Sequence, residues 1–146
     1  MKRQKVWFFL FVCYCLCMLN LLLHRPGYDP ALPYAQQLKF NLVPFETIAL
    51  FLRALHHSSH GMRVHAVINL VGNIVMFIPL GFFLGILWPS LRNGWKVFLL
   101  TLAIMLLVEL TQMLTLVGSF DTDDLMLNLL GSLTGYGLFC LHTPKK

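Results

Sequence analysis

Of the 146 residues, 58% are hydrophobic and only 12% charged, with a mean hydropathy of +0.72 and a formal net charge of +5. A soluble domain of this size cannot hide so much apolar surface, so the expected solvent is a bilayer. The basic residues that would suggest nucleic acid in a soluble chain sit mostly at the ends of apolar runs, which points to a lipid environment and to no nucleic-acid partner.

The first predicted element is the apolar run 6–23 behind MKRQK. It has the outline of a secretory leader, but it lacks an A-x-A-like cleavage site and ends in LLLHRP, so an uncleaved anchor is expected. A long loop, 24–65, follows. Its first part, HRPGYDPALPY, has three prolines and a glycine and should be irregular and extended. From Phe45 the pattern changes: FETIALFLRALHH puts Phe45, Ile48, Ala49, Leu52 and Leu55 on one helical face and Glu46, Arg53 and His57 on another. That spacing predicts a short amphipathic helix, interfacial or re-entrant. The next stretch, HHSSHGMRVH, offers His56, His57, His60 and His65 as metal ligands. No cysteine or acid joins them and Ser-Ser-His-Gly reads as a loop, so neither a metal nor a cofactor is expected.

Three further apolar runs, 66–87, 97–117 and 125–141, complete the chain. Crossing about 30 Å of hydrocarbon takes roughly 20 apolar residues in a helix, and all four runs come close to that length. The expected fold class is all-α: a polytopic membrane protein with four transmembrane helices plus the short helix of the outer loop, and no stretch left for a separate soluble domain. Cys13, Cys15, Cys17 and Cys140 fall inside the spans and read as apolar fillers rather than disulfides. Lys2, Arg3 and Lys5 precede the first span, Arg92 and Lys96 separate the second from the third, and Lys145 and Lys146 end the chain. The turn between the third and fourth spans has no basic residue. The positive-inside bias therefore puts both termini in the cytoplasm and the loop 24–65 outside, its own basic residues counting for less because it is long.

With that orientation, the strongly polar residues of the spans fall in one half of the bilayer. At 1.5 Å per residue, Asn69 and Asn73 lie about 5 and 10 Å below the outer surface, Glu109 about 12 Å, Gln112 about 7 Å and Asn128 about 5 Å, with Asp124 at the lip. Each set keeps to one helical face: Asn69 with Asn73, Glu109 with Gln112, and Asp121, Asp124, Asn128, Gly131 and Gly135 stepping by three or four. Such groups are costly against lipid, so they should converge inside the bundle as an outward-opening polar pocket. Gly131 and Gly135 form a G-x-x-x-G that permits a close backbone approach. Asp121 and Asp124 also suit the N-cap and capping positions of the last helix, a purely structural use that does not account for Glu109.

These residues carry a family resemblance. NLVPF at 41–45, NLVGNIVMFIPLGFFLG at 69–85, ELTQ at 109–112 and FDTDDLMLNLLGSLTGY at 120–136 resemble the VanZ-like family in order and spacing. The resemblance implies one VanZ-like membrane domain over 1–146, in a multi-pass protein of the bacterial cell membrane. It also implies a link to low-level resistance against teicoplanin-type glycopeptides. Asn69, Asn73, Phe77, Pro79, Gly81, Glu109, Gln112, Asp121, Asp124, Asn128 and Gly131 would be its shared positions. Members of the family often carry an arginine just before the acidic turn; this chain has Gly118-Ser119, which leaves the counter-ion of the aspartates open, and Arg63 or Arg53 could serve.

Three activities compete on this reading. The pocket formed by Asn69, Asn73, Glu109, Gln112, Asp121, Asp124 and Asn128 could bind an envelope ligand, such as a lipid-linked wall precursor or a lipoglycopeptide. Glu109, Asp121 and Asp124 could instead be catalytic carboxyls of an intramembrane enzyme acting on that precursor. The chain has no G-x-S-x-G or H-E-x-x-H to support an enzyme. A proton-coupled transporter would also use a buried carboxyl, but four helices are few for one unless the protein forms a homo-oligomer. Binding is the favoured expectation.

Overall fold

The structure is a computed structural model that describes residues 2–23, 33–34 and 38–143. In chain order the elements are α1 (Lys2–Leu23), a two-residue strand β1 (Phe40–Asn41), α2 (Glu46–His57) and α3 (His60–Leu87). After a 3₁₀ turn (Pro89–Leu91) come α4 (Gly94–Leu114), β2 (Phe120–Asp121) and α5 (Thr122–His142). Helices α1, α3, α4 and α5 are long and apolar enough to cross a membrane. The all-α polytopic class is therefore as expected. A helix satisfies every backbone hydrogen bond within its own segment, which is what an apolar run in lipid requires. Most of HRPGYDPALPY lies outside the described residues.

Every long helix starts earlier than the hydropathy reading places it, and two boundaries show why such limits shift. Ser-Ser-His-Gly is not a loop: Ser58 and Ser59 alone separate the helices, and His60 and Gly61 already belong to the first turn of α3. Hydropathy marks where lipid begins, and a helix can continue past that point into polar surroundings. At the other side, α4 stops at Leu114 rather than 117. Leu116 takes a left-handed conformation with φ of 59°. Leu116 N–H bonds Met113 O at 3.1 Å and Val117 N–H bonds Gln112 O at 3.0 Å, a Schellman ending with leucine where glycine is usual. Burial of Leu116 offsets the strain of that conformation.

Helices α3 and α5 run side by side in the same direction at very short range. A Cβ added to Gly135 would lie 1.8 Å from Ile78 O, one on Gly131 2.1 Å from Ile74 O, and one on Gly81 1.7 Å from Ser132 O. Only hydrogen fits at these three positions, so the G-x-x-x-G of α5 and a glycine of α3 set the interhelical distance. Helix α4 joins α5 through the fully buried Thr101 and Ser132, whose hydroxyls lie 2.8 Å apart. Met18, Phe77, Leu80, Leu84, Val97, Met105 and Leu125 form the apolar centre. Helix α1 is peripheral. Met18 is its one buried residue among the described side chains, and Trp7, Phe11 and Tyr14 lean on Phe83 from outside. The Tyr14 hydroxyl also donates to Met76 O at 2.8 Å, three residues before Pro79.

Candidate functional site

The first turn of α5 is built by its own aspartates and by the outer loop. Asp121 is the N-cap: its Oδ1 accepts from Asp123 N–H at 2.8 Å, satisfying a donor that a helix start leaves open. Its Oδ2 accepts from the Thr47 hydroxyl at 2.6 Å, and Thr47 in turn accepts from the Asn41 amide at 2.9 Å. The Asp121 backbone N–H donates to Glu109 Oε2 at 3.2 Å. Glu109 thereby does from a neighbouring helix what the glutamate of a capping box does from within the same one.

Asp123 has the largest structural role, and the helical-face reading missed it. It is fully buried, and its two oxygens accept from Phe45 N–H at 2.6 Å and Ile48 N–H at 2.9 Å. Those donors belong to the N-terminus of α2, whose own N-cap, Phe45, has no capping side chain and a φ of 67°. One helix start is thus capped by a carboxylate from the start of another, which also suits its dipole. Strands β1 and β2 complete the junction as a parallel pair, with Phe40 opposite Phe120 and Asn41 opposite Asp121. The Thr122 hydroxyl adds a bond to Asn41 O at 3.1 Å. The four consecutive residues Phe120, Asp121, Thr122 and Asp123 thus all hold the loop that precedes α3, and neither a helical face nor a strand alternation groups them.

Beneath this latch lies a second polar layer. Asn73 on α3 and Asn128 on α5 are buried, as is Glu109 on α4, and Asp124 is half-buried. The Asn73 amide donates to Asp124 Oδ1 at 2.5 Å, joining α3 to α5. Asn128 Oδ1 is buried and has no hydrogen-bond donor among the described residues. Burying an unpaired amide oxygen costs about 1–3 kcal/mol, so a buried orphan of this kind calls for an explanation.

Two of the expected site residues are employed elsewhere. Gln112 is buried, but its Nε2 donates to Leu22 O at 2.7 Å, so it tethers the end of α1. Asn69 bonds within its own helix, donating to His65 O at 2.9 Å. Neither is joined to the carboxylates by a described hydrogen bond. Arg53 and Arg63 are exposed, and Arg63 Nε turns to Ser58 O at 2.8 Å, which leaves their expected role as counter-ions without support. No group of three His, Cys, Asp or Glu among the described residues is arranged to hold a metal ion.

A family model described as VanZ/LLP1 matches residues 8–143. No curated protein and no solved structure matches the chain.

Proposed function

The chain belongs to the VanZ/LLP1 family, and from that premise we propose that it binds a polar envelope ligand at the layer formed by Asn73, Glu109, Asp124 and Asn128. In this reading the domain spans the bacterial cell membrane with both termini cytoplasmic and with the acidic turn facing outward. It contributes to protection against teicoplanin-type glycopeptides. The ligand class is a lipid-linked wall precursor or a lipoglycopeptide, molecules with hydroxyl and amide donors above a hydrocarbon tail.

The observation that carries the proposal is the orphaned Asn128 Oδ1. Asp121 and Asp123 hold backbone and loop, so their carboxylates have sufficient structural reason to exist. Asn128 Oδ1 has no such use among the described residues. An acceptor left unpaired in a buried layer suits a donor brought by a ligand.

The test uses Asn128→Leu, which keeps the branched outline of the side chain and removes both the orphaned acceptor and the amide donor. Because an unpaired buried acceptor destabilises, this variant should be as abundant and as thermally stable as the parent, or more so. It should nevertheless lose binding of a purified lipid-linked precursor in nanodiscs, and lose teicoplanin protection in a host that depends on the protein. Retained binding and protection would overturn the proposal. Release of a hydrolysed headgroup by the parent in the same assay would replace binding with catalysis.

A further inference from the structure

The opposite end of the bundle holds a second site, made where α1 begins and where α3 and α5 finish. A cavity of about 560 Å³ opens there between Arg3 and Trp7 of α1, Leu87 of α3, Arg92 of the connecting turn, and Phe139 and His142 of α5. That volume lies within the roughly 300–1,000 Å³ of small-ligand sites. Every described carboxylate belongs to the other end of the protein, in α2, in the acidic turn or near the end of α4. The two arginines therefore face the cavity with no acid beside them among the described residues.

Arg92 is held in place for this role. Its guanidinium carbon lies 5.4 Å from the centre of the Phe139 ring, and its Nε donates to Gly85 O at 3.2 Å. The contact with Gly85 uses one of the five N–H donors of the group. A planar, fixed guanidinium with donors remaining is the usual partner of a phosphate, which it meets with two parallel hydrogen bonds. His142 adds a ring donor on the same wall.

We propose that this cavity binds the phosphate headgroup of an anionic phosphoglycerolipid. Arg3 and Arg92 pair with the phosphate, and Trp7 and Phe139 form the apolar wall beside the glycerol. A lipid is favoured over free phosphate by what adjoins the basic groups. A neighbouring cavity of about 390 Å³ shares Gln4 and Leu87 and is lined besides by Lys5, Phe8 and Trp88. The apolar surface of Phe8, Leu87 and Trp88 therefore continues from the phosphate site along the outside of α1, with one more basic group at its edge. Trp7, Trp88 and Trp95 all lie at this end, the placement that tryptophan takes at a membrane interface.

The test is lipid retention by the full-length protein, read by native mass spectrometry after exchange into mixed phosphatidylglycerol and phosphatidylcholine. The parent should retain phosphatidylglycerol in preference, and millimolar inorganic phosphate should not displace it. Arg3→Gln and Arg92→Gln should each weaken retention about fivefold, as expected for one basic contact near a lipid surface. Lys96→Gln supplies the control, because Lys96 is basic and at the same end but outside the cavity, where its Nζ bonds Ser90 O. It should leave retention unchanged. Should Arg92→Gln fail to fold, Arg3→Gln carries the test alone, since Arg3 is exposed and forms no part of the core. Equal losses in Lys96→Gln and Arg3→Gln would show only a diffuse basic surface and overturn the site. Displacement by inorganic phosphate would overturn the lipid assignment.

Discussion

The carboxylate of Asp123 joins the starts of α2 and α5 by accepting from Phe45 N–H and Ile48 N–H. Replacing it with alanine leaves Phe45 N–H and Ile48 N–H without their acceptor and removes a negative charge from two helix starts. Loss of a cap costs about 0.5–2 kcal/mol, and loss of charged hydrogen bonds about 1.5–3 kcal/mol, so Asp123→Ala should destabilise by about 2 kcal/mol or more. The loss should be local. Limited proteolysis in detergent should cut around α2 while α3 to α5 stay intact, and a cleavage pattern identical to the parent would refute the capping role. Asp123→Asn keeps one acceptor and should fall between the two. The sequence displayed this residue without disclosing its role. A helical period sorts Asp121, Asp124 and Asn128 onto one face and leaves Asp123 off it, whereas the partners of Asp123 lie 75 and 78 residues away. No local periodicity encodes a contact at that distance.

At the level of elements, the seam between α3 and α5 is set by backbone, so it should be intolerant in an unusually sharp way. Gly135→Ala would place its methyl carbon 1.8 Å from Ile78 O, and only a shift of one whole helix can relieve that. We expect Gly135→Ala to lose nearly all folded protein in the membrane fraction. Gly137→Ala, two residues on, meets nothing within 4 Å and should be neutral or stabilising by about 0.5–1 kcal/mol, because alanine favours helix over glycine. Thermal unfolding of the two variants in detergent checks the contrast; equal behaviour would refute the seam. The G-x-x-x-G spacing was legible and so was the consequence, since small residues four apart lie on one face. The use of Gln112 was not. Its spacing from Glu109 suggested a shared polar face, yet its amide reaches the end of α1, an element whose path across the bundle no spacing could supply.

Over the whole molecule, charge is distributed with a bias: the described carboxylates gather at one end and Arg3, Lys5, Arg92 and Lys96 at the other. From the positive-inside bias we expect the basic end in the cytoplasm. Single cysteines at Ser119 and Ser90, in a background without the four native cysteines, should separate cleanly with an impermeant thiol reagent applied to intact cells. Ser119 is exposed beside the acidic turn and Ser90 is exposed in the connecting turn; Asn93 is avoided because it caps α4. Labelling at Ser119 alone is the expected outcome, and labelling at Ser90 alone would invert the topology. The number and order of the long helices were readable because hydropathy reports directly on lipid. The docking of α2 was only half readable. Its amphipathic spacing announced a helix, but the face turned inward carries Thr47, Ile48, Phe51, Ala54 and Leu55, while Phe45 and Leu52 stay exposed. The acidic turn, not apolar content alone, sets that rotation.

The pairing of Asp123 with Phe45 also imposes an order on biosynthesis. Chain growth proceeds at about 5–20 residues per second, so the 78 residues between the two take roughly 4–16 s to make. During that interval α1 and α3 can enter the membrane, but α2 has no cap for its first turn and no strand for β1 to join. The outer loop therefore waits for the last helix. A nascent chain halted before residue 120 presents an unlatched loop, so the junction forms only after α1, α3 and α4 have been made.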